Sequence, residues 1–284
     1  MFDLNAYLAD RQAAVTQRLL EWMPPADRRP VVLSQAMRHA VITGGKRLRP
    51  ILCLAAAEAA GGAGDAAWHP AVAVELLHAY TLVHDDLPCM DNDTVRRGQP
   101  TVWAQFGEAT AVLAGDALQS LAFELLARTP ASDPAVPGIL VRELAEAAGA
   151  AGIIGGQIED LACGGTADAG TVDYVHQHKT ADLFRAAARM GAIAAGADTG
   201  LTDRLGAFGS HLGVAFQIID DILDAPHGSP EKPNELSCLH ILTADQARIR
   251  AARLTEAACA CLRDLPGPAE PLDALARDML GRLY

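Results

Sequence analysis

Lysine is almost missing from this chain: Lys46, Lys179 and Lys232 are the only three among 284 residues, and arginine carries nearly all the positive charge. The formal net charge is -12, which speaks against a nucleic-acid backbone as partner. Cysteine is sparse and scattered, at 53, 89, 163, 238, 259 and 261, with no CxxC pair and no zinc-type spacing. That usage predicts a reduced, cytoplasmic compartment in which most thiols pack as small apolar groups. No uncharged run reaches the roughly 20 residues that a membrane span needs, so no transmembrane segment is expected. The opening MFDLNAYLADRQ has an early Asp and no apolar core, so no secretory signal is expected either. Runs of alternating polarity long enough for a strand are also lacking.

What is present reads as helix. Half of the residues are hydrophobic (50 %), rich in Ala and Leu, and they recur at helical spacing almost throughout. Leu4, Leu8, Val15, Leu19 and Trp22 form one stripe, closed by Met23-Pro24-Pro25. Further helices are expected at about 32–42, 48–60, 68–87, 103–128 and 137–149, and then at 152–163, 172–195, 203–224, 244–263 and 269–282. Glycine and proline punctuate them, as at Gly44-Gly45, Gly61-Gly62 and Pro266-Gly-Pro268. No linker is long enough to divide the chain and no repeat stands out. The expected architecture is one all-α domain over 1–284, with long helices around a central space.

Two acidic clusters interrupt this apolar text: Asp85-Asp86-Leu-Pro-Cys-Met-Asp91 and Asp220-Asp221-Ile-Leu-Asp224. Burying several carboxylates on a core-facing helix is expensive unless something positive neutralises them. Asp220 and Asp224 stand one helical turn apart on a common face, with Asp221 about 100° away. Pro88 interrupts the first helix after Asp86, so Asp91 must return on a loop or a new turn. Hard oxygen donors without His or Cys point to Mg²⁺, with Mn²⁺ possible, rather than zinc. An EF-hand reading of Asp91-Asn92-Asp93 fails, because Arg97 precedes the glycine and the terminal Glu is missing. One DDxxD alone could be a helix cap or a solvated turn. Two of them, with the cations described next, argue for metal work.

Gly44-Gly-Lys46-Arg47-Leu-Arg49-Pro50 puts three cations at the mouth of a helix, where free backbone N–H groups favour an anion. It is not a P-loop, since the Walker spacing and its Ser/Thr are absent. Arg96-Arg97-Gly98 follows the first acidic cluster, and His78 lies two turns before Asp85 on the same face. Matching stretches are GGKRLRP (44–50), ELLHAYTLVHDDLPCMDNDTVRRGQPT (75–101), FGEATAVLAGDALQSLAFELL (106–126), GGQIEDL (155–161), HKTADLFRAA (178–187) and GVAFQIIDDILD (213–224). Through them the chain resembles the trans-isoprenyl diphosphate synthase family, and most closely bacterial short-chain farnesyl diphosphate synthases. The resemblance runs from about residue 1 to 224 and weakens afterwards.

That resemblance implies an isoprenoid-synthase-type helical bundle around a central active-site cavity. It implies that Asp85, Asp86, Asp91, Asp220, Asp221 and Asp224 hold three Mg²⁺ ions on an allylic diphosphate. It places Arg96, Lys179, Gln217 and Lys232 on the allylic side, and Lys46, Arg49, His78 and Arg97 on the diphosphate of isopentenyl diphosphate. Lys179, the Thr180 carbonyl and Gln217 would face the developing allylic cation. It also implies a homodimer and a head-to-tail condensation. The chemistry suits these residue types. Metals and cations stabilise the departing pyrophosphate, and a dry apolar pocket with a few aimed dipoles protects the cation. The released pyrophosphate takes the proton, so no side-chain general base is required.

Product length is expected to be set below the first acidic cluster. Thr81 lies one turn deeper than Asp85, and Tyr80 flanks it about 7.5 Å below. Helix phase favours Thr81 as the floor, whereas the resemblance singles out the aromatic Tyr80 and a C15 product. After Asp224 the text departs from the family: the loop is shorter, Glu235-Leu-Ser-Cys238 replaces the usual Lys-x-Thr-Tyr, and only Lys232 remains. The alternatives are a geranyl or geranylgeranyl product, a degenerate partner subunit, or a terpene cyclase. The complete second acidic motif and GGKRLRP argue against the last two.

Overall fold

The computed structural model describes residues 2–42, 44–62, 66–163, 168–224 and 236–283. Lys232 and its neighbours between 225 and 235 lie outside the described residues. Helices follow one another as α1 (Leu4–Trp22), α2 (Val31–Ile42), α3 (Leu48–Ala59), α4 (Trp68–Asp85), α5 (Val102–Phe106), α6 (Glu108–Ala127) and α7 (Val136–Ala148). Then come α8 (Ile153–Cys163), α9 (Ala169–Val175), α10 (Asp182–Ala194), α11 (Thr199–Asp224), α12 (Ala244–Ala260) and α13 (Glu270–Gly281). The all-α expectation holds. Among the described residues the only strands are Val95–Arg96 and Gln99–Pro100, a short antiparallel ribbon.

Three departures from the expected helices have local causes. The segment expected at 103–128 is broken at Gly107, whose φ of +86° no helix accommodates, into α5 and α6. The segment expected at 172–195 starts at Ala169 instead, because the Asp168 carboxylate caps the Thr171 amide at 2.8 Å. It also contains a π-helical turn, His176–Ala181, in which the Asp182 N–H reaches back to the Gln177 carbonyl.

The helices gather into two compact units. One, the N-terminal unit, comprises Asn5–Ile51 and Trp68–Val141. Its axis is α4, where every residue from Pro70 to Leu77 is buried, and which packs along α6 and α2. Such a helix is apolar all round because neighbours cover it on several sides. Glu75 is its buried exception, matched by buried Arg47, whose Nη1 lies 2.7 Å from Glu75 Oε1.

The C-terminal unit comprises Met1–Leu4, Leu52–Ala67 and Arg142–Tyr284. Here α10 and α12 both pack on α11, and α8 lies against the π-helical turn. Phe184 and Phe208 are fully buried between them, each worth about 1.5–3 kcal/mol of burial. Arg189 on α10 clamps Glu143 on α7 through two bonds of 2.7 and 3.0 Å, and it also reaches Asp203 on α11 at 2.6 Å. Where α10 crosses α3, Gly191 presses on the Cys53 carbonyl so closely that a Cβ would sit 2.1 Å from its oxygen. Backbone cannot yield as a flexible side chain does. Gly191→Ala should therefore cost about 1–3 kcal/mol of stability in urea unfolding, with an unchanged midpoint refuting the tight crossing.

Candidate active site

In the N-terminal unit the first acidic cluster forms where α4 stops. Leu87 and Pro88 end the helix, and a compact turn brings the chain back, with the Asp91 amide on the Asp85 carbonyl (2.8 Å) and the Asn92 amide on the Leu87 carbonyl (3.0 Å). Asn92 completes the reversal with φ +56°. Asp91 thus returns over Asp85, as the break at Pro88 required. All these carboxylates gather at a helix C-terminus, the negative end of the helix dipole, so they need cations.

Arg96 is one such cation. Its guanidinium contacts Asp86 Oδ1 at 2.7 Å and Asp93 Oδ2 at 3.6 Å. Asp86 is only 3 % exposed, and burial pushes its carboxyl up, with Asp93 and Asp91 adding to the rise while Arg96 opposes it. Asp85 is partly buried and Asp91 is exposed. Arg96 is aimed by the ribbon: Val95–Arg96 and Gln99–Pro100 are joined by Arg97-Gly98, both with positive φ (+53° and +75°). The same reversal sends Arg97 to the Gly44 carbonyl. Gly45 leaves room for it, since a Cβ there would lie 2.5 Å from the Arg97 guanidinium. The loop is fixed from outside by Thr101 Oγ1 and Trp103 Nε1, which both donate to the Asp93 carbonyl at 2.8 Å.

GGKRLRP supplies cations of different kinds. Lys46 is exposed. Arg47, at φ +51°, turns inward to Glu75 and the Val41 carbonyl. Arg49 Nη1 lies 3.3 Å from His78 Nε2, a contact in which the imidazole accepts. Burial and then the charges of Arg49, Arg97, Arg96 and Arg47 press His78 well below its ordinary value, so its ring is neutral at physiological pH. Four guanidinium groups therefore share the neighbourhood of one neutral histidine, which is the electrostatic character of an anion site. A cavity of about 560 Å³ opens beside them, lined by Arg97, Gly44, His39, Gln99 and Phe106.

In the C-terminal unit the second acidic cluster divides by helix face. Asp221 is buried at 8 % exposure and accepts from Gln217 Nε2 (3.0 Å) and from the Cys238 amide (2.7 Å). His176 Nε2 stands 3.2 Å away, off hydrogen-bond alignment. Burial alone would raise the Asp221 carboxyl, but His176, the Cys238 amide and Gln217 outweigh it and hold it below the usual range. Asp220 and Asp224 keep to the outer face. Asp220 is 3.3 Å from Arg282, and Asp224 is exposed. Gln217 is itself oriented by Thr180, whose hydroxyl donates to Oε1 at 2.8 Å. Lys179, on the π-helical turn, is ion-paired to Asp160 of α8.

The expected residues thus form two groups. Asp85, Asp86, Asp91, Arg96, Arg97, Lys46, Arg49 and His78, with Tyr80 and Thr81 deeper on α4, belong to the N-terminal unit. Asp220, Asp221, Asp224, Lys179, Thr180 and Gln217 belong to the C-terminal unit. The sequence pointed to Asp93 as one of seven aspartates for metal work, and the structure pairs it with Arg96 instead at 3.6 Å. The sequence pointed to no role for Asp160, His176, Glu75 or Arg282. Asp160 lies within the GGQIEDL stretch that carries the resemblance, and its pairing with Lys179 was the one recoverable signal.

Among the described residues no three His, Cys, Asp or Glu side chains form a ready-made metal cage. Mg²⁺ needs none, because it is held by one or two carboxylates with waters and substrate phosphates. Hard aspartate oxygens gathered at the end of α4 fit such an ion.

The polyprenyl synthetase family model matches residues 30–235. Over 237 residues the chain is 44 % identical to the heterodimeric geranylgeranyl pyrophosphate synthase large subunit 1 of Arabidopsis thaliana, covering 81 % of this chain and 63 % of that relative's length. A geranylgeranyl pyrophosphate synthase of Catharanthus roseus is 39 % identical over 290 residues, covering 97 % of this chain and 80 % of the relative. The crystal structure of an FPP/GFPP synthase from Zymomonas mobilis superimposes with a TM-score of 0.89 at 37 % identity, covering 98 % of each chain.

The neutral state of His78 can be checked without substrate. Its folded value lies below the unfolded value of about 6.5, so the unfolded chain binds the proton first and falling pH favours unfolding. Stability should decline as pH drops below about 6.5, and His78→Gln should remove that part of the decline in denaturant titrations. An identical pH profile in the variant would mean that folding does not lower the proton affinity of His78.

Proposed function

The chain belongs to the polyprenyl synthetase family, and from that premise we propose that it is an Mg²⁺-dependent head-to-tail prenyltransferase acting as one domain over 1–284. Its substrates are isopentenyl diphosphate and dimethylallyl or geranyl diphosphate, and its product is farnesyl diphosphate, C15. The observation that carries this reading is the end of α4. Aspartates suited to a hard cation stand there, with Arg47, Arg49, Arg96 and Arg97 acting together on His78 two turns earlier. Metal and diphosphate are the pair of ligands that such a place accepts together.

Asp85, Asp91, Asp220 and Asp224, with the more enclosed Asp86 and Asp221, are the residues that would hold the metal; three ions are expected. The bound ions supply charge stabilisation for the leaving pyrophosphate. Arg96 offsets the negative charge left on the aspartate turn and is shared with the allylic diphosphate. Lys46, Arg49 and Arg97 bind the isopentenyl diphosphate, with His78 as a neutral hydrogen-bonding partner rather than a cation. Asp160 fixes Lys179 on the π-helical turn, which also carries the Thr180 carbonyl. Gln217 accepts one bond from Thr180 and keeps a second lone pair on Oε1 for the developing allylic cation. Apolar helix walls exclude water from that cation. Lys232 remains the proposed cation of the closing segment.

Tyr80 supports C15, since its ring offers the bulk at a depth where Thr81, with its hydroxyl turned onto the His78 carbonyl (2.8 Å), offers little. A C20 product is the second reading, favoured by the plant relatives' names. Among the described helices α6 alone has the length and hydropathy of a membrane span. It carries Glu108, Asp116 and Glu124 and packs along α4, so we read it as a core helix of a cytoplasmic protein. Val112 and Leu113 on α6 are 40 % and 59 % exposed, which supports self-association into a homodimer.

Incubation with Mg²⁺, isopentenyl diphosphate and geranyl diphosphate should give a linear C15 diphosphate, and EDTA should abolish it. Activity that survives chelation would sink the metal reading. Asp85→Ala and Asp220→Ala should each lower turnover at least ~10²-fold. Tyr80→Ala should move the product to C20 or longer; an unchanged C15 product would place the floor elsewhere.

A further inference from the structure

α4 presents two rings one turn apart, Tyr80 and His84, with centroids 5.0 Å apart and planes at 79°, an edge-to-face pair. His84 has no role in the reading above, although it directly precedes the first aspartate. Its Nε2 lies 3.0 Å from the Val112 carbonyl on α6, and because a carbonyl only accepts, Nε2 must carry the proton. The same ring fills the space over Gly115, where a Cβ would lie 2.2 Å from Nε2 and 2.4 Å from Cδ2. No other residue type fits at 115 while the imidazole stays in place. His84 is therefore held by a hydrogen bond and a steric slot on the α6 side, and it presents its ring to Tyr80 on the other.

Bulk limits a growing chain only while it stays in position. A tyrosine ring that is free to change rotamer opens the floor it forms. Tyr80 is half-buried, and its phenol is pushed up by burial, then by Asp85 and by Asp116 of α6. We propose that His84, wedged between Gly115 and the Val112 carbonyl, is a positioning residue for product length that holds the Tyr80 ring in the path of the growing prenyl chain. The proposal rests on the prenyltransferase reading and on Tyr80 as the floor. It adds a determinant that touches no substrate.

The ratio of the next longer product to the main product reads this directly, because it is independent of total turnover. His84→Ala should raise the ratio about tenfold, the most that loss of one aromatic pair is expected to give. His84→Gln, which keeps a donor for Val112 but lacks the ring, should raise it as well. Gly115→Ala should do the same from the far side, by expelling the imidazole. In a Tyr80→Ala background, His84→Ala should change the ratio less than twofold. Single variants that fold normally and keep the wild-type ratio within twofold would overturn the proposal. Wild-type protein that makes mainly C20 would refute the C15 reading, while the C25-to-C20 ratio still tests the brace. ¹⁹F NMR of fluorotyrosine-labelled protein supplies a readout without turnover, the Tyr80 signal being assigned with Tyr80→Phe. His84→Ala should move that signal toward the free amino acid, and an unmoved signal would also overturn the proposal.

Discussion

Negative charge collected at the negative end of a helix is the constraint on which the rest of the N-terminal unit depends. α4 is buried from Pro70 to Leu77 and anchored again by Val83, so the repulsion among Asp85, Asp86 and Asp91 arises at the end of a helix held by the core. The chain answers with geometry. A two-residue reversal at Arg97-Gly98 brings Arg96 onto Asp86, and Thr101 and Trp103 pin the Asp93 carbonyl so that the reversal cannot drift. Hard oxygens held this way suit a small divalent cation that brings its own waters and phosphate ligands, which is the setting the proposed metal would use.

The C-terminal unit solves a related problem by a chain of hydrogen bonds. Thr180 donates to Gln217, Gln217 donates to Asp221, and the Cys238 amide closes the far side of that carboxylate. Each buried polar group has its orientation dictated by the next, and this order fixes the Gln217 amide without a flip ambiguity. The π-helical turn belongs to the same arrangement. Its wider winding changes which residues meet α8 and α11, and Lys179 and Thr180 lie on that turn.

Much of this was legible in the sequence, and what was not has identifiable causes. Helix positions followed from apolar spacing, because tertiary burial and periodicity agree over α4, α6, α10 and α11. Gly107 and the turn at His176–Ala181 escaped notice, since a single positive φ or one extra residue per turn leaves the apolar pattern almost unbroken. The six aspartates stood out as a group, but not their division into enclosed Asp86 and Asp221 and outward Asp91 and Asp224. Adjacent positions on a helix differ by about 100°, and only packing decides which one faces inward. In GGKRLRP, Lys46 and Arg47 look equivalent as text. A positive φ at Arg47 and the buried Glu75 separate them, and Glu75 lies on another helix where no local pattern points to it.

The bond from Trp103 to Asp93 has an optical consequence. Indole emission responds to the charge and hydration around the ring, and this indole bonds to Asp93, which is linked through two ion pairs to Arg96 and on to Asp86 at the end of α4. The chain has three tryptophans; Trp22 is stacked on His69 at 4.5 Å, and Trp68 lies beneath the Arg18 guanidinium at 5.7 Å. Trp103 is the one that donates to the loop after the first acidic cluster, at the Asp93 carbonyl. Its fluorescence is thus a built-in gauge of whether that loop carries a cation, readable in the unlabelled protein at the concentrations used for kinetics.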